Sequence, residues 1–275
     1  MEYPLLATKL FVPPPRPNRV VRPRLLEKLD LGIRSGCHLF LVSAPAGFGK
    51  TTLASEWVQR SGMPVVWLAF DEGDRDPVRL WFYLVAALQT LDPGLGKTVE
   101  PALHAPQPPP TETLVSLLIN DLSSFGRHFI LVLEDYHLVD VPQIHELVNF
   151  FIDHIPPNVH LLILTRADPP LHLARRRGRA QLCEIRAADL RFTRDEVVQF
   201  FDQTMHIPLS TQDLTALEDR TEGWIAGLQM AAVALDNPQL VDSRQFIADF
   251  TGNDRYIADY LLEEVLLRQP ETIHN

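Results

Sequence analysis

The stretch from His38 to Thr52 has the residue types, in the required order, to hold a phosphate group. It reads HLFLVSAPAGFGKTT and contains the pattern G-x-x-x-x-G-K-[ST], with Ala44 in place of the first glycine. Backbone N–H groups can surround a phosphate only where the chain coils tightly, and glycine permits such a coil. Lys50 would then reach the β- and γ-phosphates of a nucleotide, and the Thr51 hydroxyl would bind Mg²⁺.

The residues on either side of this loop support the same interpretation. An apolar run, Leu39 to Val42, precedes the loop, and a segment of helical character, 52–60, follows it. The N-terminal end of that helix would direct its positive dipole towards the same anion. A glycine-rich turn with an exposed lysine is the alternative. We therefore predict that ATP or ADP binds at Ala46, Gly47, Phe48, Gly49, Lys50, Thr51 and Thr52.

Two adjacent acids, Glu134 and Asp135, follow a second apolar run, Phe129 to Leu133. A buried parallel strand would carry both acids to its C-terminal edge, beside the phosphate loop. Glu134 would hold Mg²⁺ together with Thr51, and Asp135 would orient or deprotonate the attacking water. A plain turn with a helix cap is the alternative interpretation of this pair.

A third apolar run, Val159 to Thr165, ends at Arg166. An arginine at a strand end next to the acid-bearing strand fits a contact to the γ-phosphate, and an exposed loop arginine is the alternative. The predicted catalytic residues are thus Lys50, Glu134, Asp135 and Arg166.

Two other basic features lack such a context. Gly96-Lys97-Thr98 repeats the GKT tripeptide within the Pro/Gly-rich segment 92–112, predicted to be a loop, but no strand precedes it, so we interpret it as a chance match. Four arginines cluster near the end of a short predicted helix. They are Arg175, Arg176, Arg177 and Arg179. The simplest interpretation is that they form a solvent-exposed face of the helix. The alternative is that they contact an anion or act as an arginine finger between subunits.

Composition limits the class of protein. The 275 residues are 46% hydrophobic and 22% charged, as in a soluble chain of one large or two smaller domains. The net charge of −10 argues against a large nucleic-acid surface in this segment. Cys37 and Cys183 lie beside apolar runs, which indicates reduced thiols of a cytoplasmic protein. No apolar run approaches the roughly 20 residues of a membrane span, and no signal peptide is evident, so we expect no membrane partner.

The order of patterns predicts the domain organisation. Residues 1–24 hold six prolines and predict an extended arm, with Leu10, Phe11 and Val12 as its anchors, or alternatively a disordered tail. A short helix over 22–29 follows, and Val21 and Arg22 are candidates for covering the adenine.

Alternating apolar and helical segments from 38 to 186 predict an α/β domain with a parallel sheet covered on both faces. From Thr193, which starts a capping box with Glu196, the pattern changes to helices alone. We interpret these helices as a lid. The chain stops at 271–275 without a terminal cap, which indicates a fragment of a longer protein.

Six stretches also carry a family resemblance: TKLFVPPPRPNRVVRPRLLEKL, VSAPAGFGKTTLASEW, WLAFDEGDRDPVRLWFYLVAAL, LVLEDYHLV, LTRADPPLHLARRRGRAQLCEIRAADLRFT and EGWIAGLQMAA. Together they resemble the ATPase region of the large MalT-like, LuxR-type transcriptional regulators, which belong to the STAND class of signal-transduction ATPases. The resemblance implies an ATP-binding core, a helical subdomain and the start of a winged-helix subdomain. In full-length relatives a repeat array that senses an inducer and a DNA-binding helix-turn-helix follow.

Carried over position by position, the resemblance matches Gly47, Gly49, Lys50, Thr51 and Thr52 to the phosphate loop, Glu134 and Asp135 to the acidic pair, and Arg166 to the sensor arginine. Two positions depart from the family pattern. The first acid is more usually Asp, so Glu134 would hold Mg²⁺ through a water molecule or at a slightly different geometry. The G-x-P element of the family is represented by Gly223-Trp224-Ile225, with Ile225 in place of the proline.

The sequence therefore predicts an α/β P-loop NTPase with a central parallel sheet, followed by a helical lid and the start of a winged-helix subdomain. We expect an arm and adenine-side segment over 1–30, the ATPase core over 31–192, the lid over 193–250 and the last subdomain over 251–275.

The expected function is a slow regulatory ATPase whose ATP and ADP forms differ in how the lid sits on the core, which would set self-association of the full protein. An unknown inducer and DNA would act through parts beyond Asn275. The alternatives are a metabolic P-loop enzyme such as a small-molecule kinase, for which only the arginine cluster could bind a second substrate, and a scaffold that holds ADP without turnover.

Overall fold

The computed structural model describes residues 5–15, 18–103, 105, 109–236 and 243–250. It divides into two compact units, one formed by 1–15, 24–43 and 51–186, the other by 16–23, 44–50 and 187–275. The expected domain boundaries stay predictions, and the one between 30 and 31 falls inside a helix. The expected last subdomain over 251–275, including a helix predicted over 256–267, lies outside the described residues.

In the described part of the first unit, five parallel strands form one sheet in the order β2-β3-β4-β1-β5. The strands are β1 (Leu39–Ser43), β2 (Val65–Ala69), β3 (Phe129–Glu134), β4 (Val159–Thr165) and β5 (Leu182–Arg186). β1, β3 and β4 are buried at every position, which explains why they are continuous apolar runs. The predicted α/β fold with a parallel sheet is confirmed.

Helices precede and connect these strands along the chain. They are α1 (Pro23–Arg34), α2 (Lys50–Ser61), α3 (Pro77–Gln89), α4 (Glu100–Leu103), α5 (Thr111–Ser124), α6 (Pro142–Asp153) and α7 (Leu173–Gly178). Asp76 directly precedes Pro77, and the sequence therefore predicts that Asp76 caps α3. This is confirmed, since the Asp76 side chain accepts from the Val78 N–H at 3.0 Å. α1 runs past its predicted end because Leu29 and Gly32 continue its buried side. α4 is a short helix within the segment that was expected to be a loop.

The N-terminal arm is anchored by the buried charge of Lys9 and by Leu10, a predicted apolar anchor that packs against the core of the first unit. Lys9 lies in a 3₁₀ turn, Ala7–Leu10, and is buried, whereas Phe11 is 61% exposed. The Lys9 ammonium pairs with the fully buried Asp74 carboxylate and lies 4.0 Å from the centroid of the Tyr83 ring. The prediction of Phe11 as an anchor is wrong, because the ion pair, not the phenyl ring, enters the interior.

After residue 186, the described part of the second unit contains helices and no strand. Helices from Thr193 onwards were predicted, and the short helix before Thr193 was not. The helices are α8 (Ala187–Leu190), α9 (Arg194–Gln199) with a π-helical turn (Phe200–Thr204), α10 (Thr211–Thr221), α11 (Ile225–Leu235) and α12 (Ser243–Asp249). The predicted capping box of Thr193 and Glu196 is confirmed. The sequence predicts that a helix begins at Leu214, whereas α10 begins three residues earlier, because the Ser210 side chain accepts from the Asp213 N–H.

Two further sequence expectations concern thiols and membranes. Cys37 and Cys183 are free, as predicted, with Cys37 buried and Cys183 half-buried. Within the part of the chain that the structure describes, no helix has both the length and the apolar character to cross a bilayer.

Replacing Lys9 by methionine should lower the free energy of unfolding by about 3 kcal/mol, because it removes one cation from a buried carboxylate. Urea denaturation measures the loss as a shift of the midpoint. Phe11→Ala is the control, and at this exposed position we expect a change within about 0.5 kcal/mol. Equal losses in the two variants would contradict the assignment of Lys9 as the anchor.

Candidate functional site

In the first unit, the side chains of Thr51 and Glu134 meet at the carboxyl end of the sheet. The Thr51 hydroxyl donates to Oε1 of Glu134, and the Trp67 indole N–H donates to Oε2 at 2.9 Å. Glu134 is the last residue of β3 and is 8% exposed. Both carboxylate oxygens are therefore held, one by a hydroxyl from α2 and the other by an indole from the neighbouring strand β2.

This pair of oxygen ligands fits a magnesium ion that accompanies a nucleotide. Mg²⁺ prefers oxygen ligands and usually completes its shell with phosphates and water. The Thr51 hydroxyl and the Glu134 carboxylate are in contact, so one ion could bind both. Among the described residues, no three His, Cys, Asp or Glu side chains form a metal-binding group. Thr51 and Glu134 would thus supply two oxygen ligands of such an ion.

Sequence reasoning missed Trp67. Its indole is the polar group of an otherwise apolar strand, Val65–Ala69, and is buried. A buried indole N–H needs an acceptor, so a tryptophan in a buried strand beside the acid-bearing strand was the available signal. The structure supplies Glu134 as that acceptor.

Asp135 has an unusual backbone conformation. Its φ of 53° and ψ of 39° lie in the left-handed region, which non-glycine residues adopt rarely and often at functional sites. Its side chain is 39% exposed, and Oδ1 lies 3.8 Å from Nδ1 of His137. Asp135 therefore remains open to a ligand, whereas Glu134 is buried.

A hydrogen-bonded chain fixes the residue after Asp135. The Tyr136 hydroxyl lies 2.9 Å from Nδ1 of His145, whose Nε2 lies 3.2 Å from the Asp140 carboxylate. Burial, with a contribution from the Asp140 charge, raises the pKa of the Tyr136 phenol, so it stays protonated at neutral pH. This chain holds the turn that follows β3.

The sensor candidate Arg166 follows β4, which lies between β1 and β3 in the sheet. Its strand is therefore next to the acid-bearing strand, as predicted. Arg166 itself is half-buried, and the preceding Thr165 hydroxyl donates to the Ala167 carbonyl at 2.8 Å.

A charged pair that sequence reasoning missed lies at the same edge. Asp168 accepts from Arg186 and, at 3.1 Å, from the Ser43 hydroxyl, so it connects the ends of β1 and β5. Burial alone would raise the pKa of the Asp168 carboxyl, but the hydrogen bonds and positive charge of its partners outweigh burial and lower it. Asp168 therefore stays ionised at neutral pH. The partners are far apart in sequence, which leaves no pattern to detect.

The phosphate loop, residues 44–50, belongs to the second unit. Gly47 and Gly49 have φ values of 78° and 75°, a region that glycine enters without strain. Nζ of Lys50 donates to the carbonyls of Ala44 at 2.8 Å and Pro45 at 2.9 Å. Residues 46–49, which lie between Pro45 and Lys50 and include Phe48, are half-buried. Thr52, which follows in α2, is half-buried in the first unit.

The start of α11 contacts this loop directly. The Trp224 indole donates to the Ala46 carbonyl, and the Ala226 N–H donates to the Gly47 carbonyl, both at 3.1 Å. The Ile225 side chain lies 3.0 Å from the position that a Cβ on Gly49 would occupy. The segment matched to the G-x-P element thus contacts the phosphate loop.

Gly223 is explained by close packing in the same unit. A Cβ at this position would lie 2.6 Å from the Phe192 carbonyl oxygen, and the Phe192 N–H donates to the Gly223 carbonyl at 2.8 Å. A larger residue would separate these two backbone segments.

The adenine-side candidates have different surroundings. Val21 is 43% exposed. The Arg22 guanidinium is buried, donates to the carbonyls of Leu190 and Arg191 at 2.7 and 3.0 Å, and lies 3.4 Å from Glu196. The Arg22 side chain therefore holds the segment before α9, and an adenine contact by either residue stays a prediction.

Comparison with known proteins gives two kinds of similarity. The chain is 37% identical over 264 residues to the HTH-type transcriptional regulator MalT of Serratia proteamaculans, and 36% identical over 262 residues to MalT of Yersinia enterocolitica. Each match covers 95% of this chain and 29% of the relative. The chain resembles the MalT regulators. This confirms the resemblance seen in the sequence, although no protein-family model matches.

A solved structure supports the fold. The Walker-type ATPase PABY2304 of Pyrococcus abyssi superposes with a TM-score of 0.56 at 16% identity, over 95% of this chain and 80% of that one. At this level of identity the match concerns the fold alone, and it confirms the predicted α/β P-loop fold. The chain spans about 29% of the length of the curated relatives that it matches.

Trp224→Phe should make the backbone amides of residues 46–49 exchange with deuterium about 2- to 10-fold faster, because the loop loses one hydrogen bond. Hydrogen–deuterium exchange with mass spectrometry measures the rates. Trp57→Phe is the matched control, since its indole bonds Asp30 at 2.9 Å, in the first unit, and its loss should leave these rates unchanged. Unchanged loop exchange in Trp224→Phe would show that the contact does not hold the loop.

Proposed function

We propose that this chain is an ATP-binding regulatory region that acts as a nucleotide-dependent switch with slow hydrolysis. The observation that carries the proposal is the pair of hydrogen bonds from Trp224 and Ala226 to the carbonyls of Ala46 and Gly47. Through them, the loop expected to hold the phosphates is tied to a helix. The P-loop fold and the similarity to MalT regulators support the same function.

In this proposal the phosphates bind at the backbone N–H groups of residues 46–49 and at Lys50. Lys50 now donates to two carbonyls of its own loop, so its ammonium is already positioned inside the coil. Thr51 and Glu134, which touch each other, hold Mg²⁺. When bound, the ion neutralises charge on the β- and γ-phosphates.

Hydrolysis assigns one role to each remaining candidate. Asp135, which is partly exposed, accepts the proton of the water whose oxygen attacks the γ-phosphorus. The bond from that phosphorus to the bridging oxygen breaks, and ADP and phosphate leave. Arg166, at the end of the next strand, balances the charge that develops on the γ-phosphate.

The switch follows from the contacts of the loop. A loop that binds or loses a γ-phosphate changes its backbone positions, and two of its carbonyls are bonded to residues 224 and 226. The change is thereby passed to the start of α11. In the whole protein, such a change would control self-association and DNA binding by parts outside this segment, in response to an inducer.

Lys50→Ala should weaken ATP binding at least about 100-fold, because it removes charge-assisted hydrogen bonds to two phosphates, each about 1.5–3 kcal/mol. Calorimetric titration with Mg-ATP measures the affinity, and circular dichroism checks the fold. Lys97→Ala is the matched control, since Lys97 lies in the chance GKT tripeptide, and it should bind ATP normally. Unchanged affinity in Lys50→Ala would refute the assignment of the loop.

Asp135→Asn should lower ATP hydrolysis about 10²- to 10⁴-fold and leave ATP affinity unchanged, because an amide cannot accept the proton. Phosphate release, measured without any acceptor molecule, gives the rate. Asp219→Asn, the same change at an exposed carboxylate of α10, is the control and should hydrolyse ATP normally. Turnover that requires an acceptor would instead indicate a kinase, and ADP that never exchanges would indicate a scaffold.

A further inference from the structure

A cavity of about 410 Å³ opens at the amino edge of the sheet in the first unit. Its walls come from the segments 36–39, 152–155 and 175–181, each of which precedes a strand: β1, β4 and β5. Ser43, Glu134 and Thr165 lie at the opposite, carboxyl edge, where those strands and β3 end. The cavity is therefore separate from the Thr51–Glu134 pair.

Positive charge exceeds negative charge in the lining of this cavity. Arg175, Arg176 and Arg179 line it, and Asp153 is its one acidic residue. The chain as a whole has a net charge of −10, so this excess is local. Arg175 lies in α7 and Arg179 directly follows the end of this helix, and both contribute to the lining of the cavity.

Asp153 already forms an ion pair with the buried Arg176. Arg176 is 4% exposed and donates to Asp153 Oδ1 at 3.0 Å and to the Leu171 carbonyl at 2.9 Å. Arg175 reaches the same carboxylate only at 3.8 Å. Arg179 has no carboxylate within ion-pair distance among the described residues. Two guanidinium charges of the cavity are thus left largely uncompensated.

Arg177 shows that this excess belongs to the cavity and not to α7 as a whole. Arg177 is absent from the lining, and its guanidinium lies 2.7 Å from Glu184 and 3.8 Å from Asp168. Its charge is therefore balanced. The four arginines that cluster in the sequence have three different environments, and only Arg175 and Arg179 are available to a ligand.

The other walls suit a small organic anion. His38 and His154 contribute rings that are held at Nδ1 by the carbonyls of Val159 at 3.1 Å and Phe150 at 2.9 Å. Gln181 adds an amide, and the apolar wall consists of Leu39, Ile152 and Ile155. The volume and the mixture of apolar walls with a few polar groups match those of small-molecule sites.

We propose that this cavity binds a small phosphorylated metabolite, whose phosphate is held by Arg175 and Arg179. Guanidinium groups present two parallel N–H donors that match the oxygens of a phosphate. Arg176, fixed by its buried hydrogen bonds, keeps α7 against α6 and so holds the two exposed arginines in place. The sugar or carbon part of the ligand would lie against the apolar wall.

The test uses inorganic phosphate as the probe, in the Lys50→Ala background, so that the phosphate loop does not compete. In calorimetric titration, phosphate should bind this Lys50→Ala parent. The double variant, which adds Arg175→Gln and Arg179→Gln to the parent, should bind phosphate at least about tenfold more weakly. Arg177→Gln, on the same helix, should keep the affinity of the parent. Urea denaturation verifies that each variant is folded.

Three results would overturn the proposal. Phosphate could fail to bind the Lys50→Ala parent, or the double variant could bind phosphate as tightly as the parent does. The third result is that Arg177→Gln loses as much phosphate affinity as the double variant, which would indicate unspecific electrostatic attraction. If the double variant does not fold, Arg179→Gln alone replaces it, and this exposed substitution should still weaken binding. Because the background already lacks Lys50, these outcomes do not depend on ATP binding at the loop.

Discussion

The tight coil of residues 44–50 is the constraint on which the second unit depends. A loop that directs its N–H groups at an anion turns its carbonyls outwards, and half-buried carbonyls need donors. Lys50 supplies donors to Ala44 and Pro45, and the start of α11 supplies donors to Ala46 and Gly47. The coil is thus completed by a segment more than 170 residues away in sequence. A loop of this kind cannot change its shape without changing the donors that satisfy it.

In the first unit, the constraint is the burial of an acidic side chain, whereas in the second unit it is the burial of carbonyl groups. Glu134 ends a strand that is buried at every position, and a carboxylate there is costly unless its oxygens are bonded. Thr51 and Trp67 provide one donor each. A cation between Thr51 and Glu134 would take over part of that role. The same burial that makes Glu134 costly therefore makes it a good partner for a metal ion.

Local patterns predicted the elements well, because their causes are local. The strand Val159–Thr165 matches its prediction at both ends, and Asp76 and Thr193 cap their helices as expected, since capping depends on residues three positions apart or fewer. The role of Lys9 as an anchor of the N-terminal arm could not be predicted, because hydrophobicity favours Phe11 for that role. Asp74, the partner of Lys9, comes close to it only in the folded chain. The bonds of Asp168 to Ser43 and Arg186 have the same origin: strand order, which no local pattern specifies. The assigned roles of the site residues remain predictions.

Net charge proves a poor guide to which anions the chain could bind. An acidic total of −10 disfavours an extended polyanion, which would contact much of the surface. A small anion responds only to charges within about one screening length, roughly 8–10 Å in physiological salt. Lys50 lies inside a coil whose carbonyls already accept hydrogen bonds. Arg175 shares the Asp153 carboxylate with Arg176, and Arg179 has no carboxylate within ion-pair distance among the described residues. Because each concentration of positive charge is local, an acidic chain can carry sites for small phosphates without becoming a nucleic-acid surface.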